Sequence, residues 1–249
     1  MRVPGSTFLV TGGGSGLGAA CVRELLQGGA DVVVADIQPG EFGGQSWYCR
    51  TDVADPADVA AAVAHGRRLD GVIHCAGMLS AARLLSRRGP HDLALFRRVI
   101  DVNLIGTFNV LRLAAERMAS NAPDADGERG VMVLTGSVAS QEGQVGQVAY
   151  AASKGGVAAM VLPAARELAE RGIRVAAIAP GLFDTPLLAS APAPALAALQ
   201  AQTMYPARWG RPEEFARFAR AIIENPMVNG CLLRLDGAVR LNSGTESRT

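Results

Sequence analysis

With 249 residues, 49% hydrophobic and 19% charged, the chain has the size and balance of one large α/β domain or two small ones, far from the composition of a disordered segment. Its formal net charge of +1 provides no global field to draw in nucleic acid or an anionic membrane, so neither is expected as a partner. Cys21, Cys49, Cys75 and Cys231 form no Cys-x-x-Cys pair and His65, His74 and His91 show no ligand spacing, so reduced thiols and no metal site are expected.

Along the chain, short β-branched runs alternate with longer helical patterns. Strands are expected at STFLVT, DVVVAD (31–36), a weak SWYCR (46–50), LDGVIHCA (69–76), GVMVLTGS (130–137), IRVAAIAP (173–180) and CLLRLD (231–236). Amphipathic helices are expected over 16–27, 55–67, 91–119, 148–171 and 212–225. Near-continuous apolar strands separated by helices predict a doubly wound parallel α/β sheet, the Rossmann arrangement. No linker, charge block or repeat divides the chain, so 1–249 reads as a single domain. The segment IQPGEFGGQ (37–45) is too short and too rich in glycine and proline for a crossover helix, which predicts a loop. No uninterrupted apolar run approaches the roughly 18 residues of a membrane span. STFLVT begins too early for a signal or transit peptide, which points to a cytoplasmic location.

VTGGGSGLG (10–18) follows the first strand and opens the first helix. Glycines there let the backbone turn sharply and approach a pyrophosphate, whose charge is drawn to the amides and dipole of the helix start. The spacing Gly12-x-x-x-Gly16-x-Gly18, with Ser15 and Leu17 inside it, differs from the commonest dinucleotide fingerprint. Asp36, ending the second strand, adds a carboxylate that can accept hydrogen bonds from an adenosine ribose. It would repel a 2′-phosphate, and the turn has no basic residue to welcome one, so NAD is expected over NADP.

Lys154, in YAASK, is the only lysine among 24 basic residues. Its compact ammonium has rotatable donors, unlike the planar fork of arginine, so its retention points to chemistry that distinguishes the two. Tyr150 lies one helical turn before it, on the same face. A phenol is a poor base near neutrality, but a nearby ammonium and a cationic nicotinamide would stabilise its phenolate. Tyr150 could then accept an alcohol proton and return it. Ser137, at the end of a strand, could hold the substrate oxygen. Asn103 is an amide among apolar neighbours in the long helical pattern, which by itself fits a satisfied structural residue as well as a functional one.

Together TGGGSGLG, Asn103 within VNL, Ser137, YAASK and PGLFDT (180–185) resemble, in order and over essentially the entire chain, the short-chain dehydrogenases/reductases. The resemblance implies Tyr150 as acid/base, Lys154 on the nicotinamide ribose, Ser137 polarising the substrate oxygen and Asn103 holding a water in a proton relay. It further implies that Asp52 and Val53 contact adenine, that Ala76 and Gly77 offer backbone contacts, and that Pro180 and Thr185 belong to the nicotinamide segment. HCAG (74–77) departs from the NNAG of most relatives, placing Cys75 where an asparagine is thought to brace the central strand.

RRVIDVNLIGTFNVLRL, EGQVGQVAYAASKGG, RVAAIAPGLFDTPLL and AIIENPMVNGCLLRLDGAVR resemble more closely the type 2 3-hydroxyacyl-CoA dehydrogenase branch of that family. This implies a (3S)-3-hydroxyacyl-CoA as substrate and a homotetramer with the last strand near a subunit contact. Gln144 is the candidate donor to a thioester carbonyl. Arg83, Arg87 and Arg88 are candidates to meet the anionic end of coenzyme A, with a solvated loop face as the alternative. A lid is expected at about 182–210. The alternatives left open are a hydroxysteroid or other secondary-alcohol dehydrogenase, and a non-catalytic NAD-binding sensor or scaffold.

Overall fold

The β-branched runs pair into one seven-stranded sheet. In this computed structural model, which describes residues 1–40, 42–189, 200 and 202–243, its strands are β1 (Thr7–Thr11), β2 (Asp31–Asp36), β3 (Ser46–Arg50), β4 (Gly71–His74), β7 (Gly130–Thr135), β8 (Ile173–Pro180) and β9 (Leu232–Leu235). Every pair is parallel, in the order β3-β2-β1-β4-β7-β8-β9. The remaining strands, β5 (Leu85–Ser86) and β6 (Gly89–Pro90), form a small antiparallel hairpin where a loop was expected.

Helices cover both faces, because β-strand side chains alternate and each face is apolar. One cluster joins Leu9, Val33, Val72, Met132 and Val175 to α2 (Pro56–Ala64), α4 (Gly106–Ala119) and α5 (Val148–Leu168). The other joins Phe8, Val10, Val34, Val133 and Ile178 to α1 (Gly16–Gln27) and α7 (Pro212–Glu224). The single doubly wound α/β domain read from the sequence is therefore the fold observed.

Several boundaries differ from the sequence reading. The helix expected over 91–119 is α3 (Leu93–Ile100), a π-turn (Asp101–Ile105) and then α4. Within the π-turn the Gly106 N–H reaches the Asp101 carbonyl, five residues back. The strand expected to end at Ser137 stops at Thr135, and Ser137 instead caps a short 3-10 turn, Val138–Ser140, by accepting from the Ala139 N–H at 3.1 Å. The stretch Val148–Arg171 is on average long and apolar enough to cross a membrane, which counting uninterrupted runs missed. Its stripe of Ala149, Ser153, Lys154, Val157, Val161 and Ala165 is buried within the fold.

The excursion expected as a lid is closed at its base, where Gly210 N donates to Leu182 O at 2.8 Å and Asp184 N to Gly210 O at 2.9 Å. It begins with α6 (Pro186–Ala189). Residues 190–199 and 201 of that expected lid lie outside the described residues.

Candidate active site

Strand order reverses at β1 and β4, and there the chain leaving the two carboxyl ends opens a crevice suited to ligands. Gly12 follows β1 with φ +64°, and a Cβ on it would sit 2.6 Å from Ala76 N. A Cβ on Gly18 would stand 2.1 Å from Gly12 O. Both positions therefore admit only glycine. Asp36 steadies the turn, its Oδ2 accepting from Gly14 N at 2.9 Å and its Oδ1 from Gln38 N at 3.0 Å. Ser15 precedes α1 without capping it through its side chain, so the first amides of α1, with Leu17 and Gly18 among them, remain available to an anion. Thr185 is close to Gly16, 3.5 Å from where its Cβ would be, which brings the segment after Pro180 to the same helix start.

Asp52 and Val53 follow β3 at the edge of this crevice. The Asp52 carboxylate turns back to Ala54 N at 2.9 Å, while Val53 is buried and its carbonyl accepts from Asn109 Nδ2 at 3.0 Å. After β4, a Cβ on Gly77 would lie 3.2 Å from Asn103 Oδ1 and 3.7 Å from Lys154 Nζ. Absence of a side chain at Gly77 thus keeps two candidate residues close to the backbone that follows Ala76.

The first turns of α5 carry Tyr150 and Lys154, with the ammonium 6.0 Å from the ring centroid. Lys154 is only 4% exposed and donates to the Thr135 carbonyl at 2.7 Å. An ammonium has three donors, and no other acceptor for it is found among the described residues. Burial pulls its pKa from 10.5 to about 8. Tyr150 moves the other way: burial pushes its phenol up, and a hydrogen bond with Ser137 pulls it partly back. The expected lowering of the tyrosine is therefore absent from the protein alone, because desolvation outweighs the help its neighbours give.

Asn103 is fully buried in the π-turn. Its Oδ1 accepts from Met78 N at 2.8 Å, and its Nδ2 donates to Met78 O at 2.9 Å and to Ser153 Oγ at 3.1 Å. Ser153 in turn donates to the Tyr150 carbonyl at 2.7 Å. The amide thus clamps the loop after β4 to the start of α5, and its side-chain donors are committed to the protein. The main-chain carbonyl of Asn103 accepts from Thr107 Oγ1 at 2.6 Å.

A glycine cradle at the switch point, with buried Ser137 and Lys154 beside a half-buried Tyr150, is the arrangement of a nicotinamide-dependent dehydrogenase. The profile of the short chain dehydrogenase family matches residues 6–195. The chain belongs to the short-chain dehydrogenase family. The human protein named 3-hydroxyacyl-CoA dehydrogenase type-2 is 47% identical over 252 residues, covering 96% of this chain and 97% of that one. Its Drosophila melanogaster namesake is 43% identical over 252 residues, with 96% and 99% covered. A crystal structure of 3-hydroxyacyl-CoA dehydrogenase type-2 from Mycobacterium avium superposes with a TM-score of 0.89 at 40% identity, covering 97% of this chain and 98% of that one. The short-chain dehydrogenase described here is accordingly an oxidoreductase acting on a small molecule with a nicotinamide cofactor.

Within this dehydrogenase the remaining candidates make other contacts or lie exposed. Gln144 donates through Nε2 to Asn242 O at 3.2 Å and to Asn242 Oδ1 at 3.3 Å, so its amide holds the C-terminal segment. Arg83, Arg87 and Arg88 lie exposed on the β5–β6 hairpin and its approach. Other contributors escaped the sequence reading. Glu142 pairs with Arg234 at 2.9 Å and Arg240 at 3.4 Å, fixing the loop between Ser137 and Tyr150. Thr135 acts through a main-chain oxygen, for which no sequence signal exists. For His74 the HCAG departure was a signal, but it directed attention to Cys75, which accepts from Thr135 Oγ1 at 3.6 Å. The bridge from sheet to helix is made by the neighbouring His74.

Proposed function

We propose that the chain catalyses reversible oxidation of (3S)-3-hydroxyacyl-CoA to 3-ketoacyl-CoA with NAD, using Tyr150 as acid/base. The observation that carries the chemistry is the buried Lys154 ammonium, with donors to spare, 6.0 Å from the ring centroid of Tyr150. Ser137 and Tyr150 hold the alcohol oxygen, and Tyr150 Oη takes the hydroxyl proton and returns it in reduction. Lys154 is the positive charge that the chain itself brings to the phenolate, and its unused donors suit a ribose. NAD, once bound, supplies the hydride acceptor. The amides after Gly12, the Asp36 carboxylate and Thr185 are the groups that would hold it, with Asp36 favouring a free 2′-hydroxyl.

The substrate class rests on the relatives' names and on Arg83, Arg87 and Arg88, which have no acidic partner among the described residues. A lid over the acyl chain would rise from the base that Leu182, Asp184 and Gly210 close. Exposed Ile105 and Phe108 on or beside α4, and Leu162 on α5, give the apolar faces on which copies would pack into a homotetramer.

The decisive experiment follows NADH absorbance over a series of 3-hydroxyacyl-CoAs, hydroxysteroids and small secondary alcohols, with Tyr150→Phe beside the parent. The highest kcat/KM should fall within the acyl-CoA series, and Tyr150→Phe should bind NAD normally while losing at least about a hundredfold in turnover. No activity on any 3-hydroxyacyl-CoA would reject the substrate, and turnover of the phenylalanine variant within a few-fold of the parent would reject the role of Tyr150. A monomer by light scattering would reject the tetramer.

A further inference from the structure

His74 is a buried titratable residue that the chemistry above does not use. It ends β4 as the register partner of Thr11, the last residue of β1, and is wholly inaccessible. Both ring nitrogens are engaged: Nδ1 lies 2.7 Å from Thr11 Oγ1 and Nε2 lies 2.9 Å from Thr107 Oγ1. The direction of these bonds follows from proton counting. Thr107 has one hydroxyl proton, given to the Asn103 carbonyl at 2.6 Å, so toward His74 it can only accept. Nε2 therefore carries the ring proton, and Nδ1 accepts from Thr11. The result is one chain of donors running from Thr11 through His74 and Thr107 to the carbonyl of Asn103.

Its two ends matter. Thr11 immediately precedes Gly12, and Asn103 clamps Met78 and Ser153, the residue before Lys154. We propose that neutral His74 is a positioning residue, tying the Asn103 π-turn, and through it the Tyr150–Lys154 end of α5, to the strand that carries the glycine turn. An asparagine at position 74, as in NNAG, has its amide atoms near the place of Nδ1 and can meet Thr11. It cannot reach Thr107, so the second arm exists here because the residue is histidine. Burial, with the Lys154 cation second, pulls the imidazole pKa from 6.5 to about 3, which keeps the ring in the uncharged form the bonding pattern requires.

The inference rests on the reading of Tyr150, Lys154 and Asn103 given under the proposed function. It is tested by a double-mutant cycle of His74→Asn and Thr107→Val, with kcat and KM normalised to folded protein, and by the ring-nitrogen chemical shifts of His74. Each single variant should lower kcat about tenfold while KM for NAD stays within about threefold, the double variant should be no worse than the poorer single, and Thr107→Ser should recover most of the rate. The parent should show one neutral tautomer protonated on Nε2, with that resonance shifting in Thr107→Val. Rates within about twofold of the parent, or losses that multiply in the double variant, would reduce His74 to packing. A ring protonated on Nδ1 or on both nitrogens would overturn the proposal whatever the rates. Tyr150→Phe in the same assay separates the two failures: unimpaired turnover there rejects the acid/base reading, while the cycle and the ring shifts still decide His74.

Discussion

Lys154 Nζ donates to the main-chain oxygen of Thr135 at 2.7 Å, joining the first turns of α5 to the end of β7. The ammonium is thereby held at a fixed depth beside Gly77, where a planar guanidinium has a different shape and a longer reach. Lys154→Arg should keep the charge yet lower kcat/KM by on the order of a hundredfold, with a raised KM for NAD. Steady-state kinetics at saturating alcohol check this. Near-parental values would mean that position 154 needs only a cation.

The same burial predicts a pH dependence of stability. The lysine pKa is about 8 in the native protein against 10.5 when unperturbed, so between those values the unfolded chain holds a proton that the native one has released. Stability linked to this group is thus present above the unfolded value and lost as pH falls toward 8. Compared with Lys154→Met, the cofactor-free parent should gain on the order of 1.4 kcal/mol per pH unit across that window and nothing below it. Urea unfolding of both proteins at pH 7, 9 and 10 measures the difference. A difference that does not change with pH, or shrinks as pH rises, would show that Lys154 is not desolvated.

Much of this was legible before the fold was known, for identifiable reasons. The parallel sheet could be read because Val32, Val33 and Val34, like Val131, Met132 and Val133, are buried on both faces and leave no alternation. Tyr150 and Lys154 could be paired because helical spacing is local. The π-turn could not be read, since DVNLI fits helical periodicity as well as its neighbours do. Gln144 was assigned by closeness in sequence to Tyr150, whereas its partner Asn242 lies 98 residues away. His74 stood inside an apolar strand pattern, and only the third dimension brings Thr11 and Thr107 to its two nitrogens.

Coenzyme choice gives a third prediction. Asp36 holds Gly14 N and Gln38 N while presenting negative charge at the end of β2. Asp36→Ala should weaken NAD, both by loss of ribose acceptors and by loosening the glycine turn, and should relieve repulsion of a 2′-phosphate. The ratio of kcat/KM for NAD over NADP is expected to fall at least about tenfold. If the ratio holds while both values drop together, Asp36 shapes the turn and does not select the coenzyme.

The last prediction concerns the arginines of the hairpin. The strand pair β5–β6 is short and exposed, yet its base is attached: Ala82 N donates to Gly146 O at 2.8 Å, and His91 N to Leu84 O at 2.9 Å. Gly146 lies four residues before Tyr150, so the hairpin rises from the loop that leads into the candidate site. Arg83, Arg87 and Arg88 therefore put three exposed positive charges on a hairpin attached to that loop, and solvated guanidiniums can meet phosphates as charge-assisted pairs at small entropic cost. Replacing all three by glutamine should raise KM for acetoacetyl-CoA about tenfold at low ionic strength, with little change in kcat. The penalty should shrink as salt screens the parent's advantage, because exposed charges lose their reach once the Debye length falls to a few ångströms. A small uncharged ketone has no anionic end and should be reduced at the parent's rate by the same variant. If acetoacetyl-CoA and the ketone suffer alike, the arginines act on the fold of the loop; if neither is affected, the hairpin is a solvated surface that meets no coenzyme A.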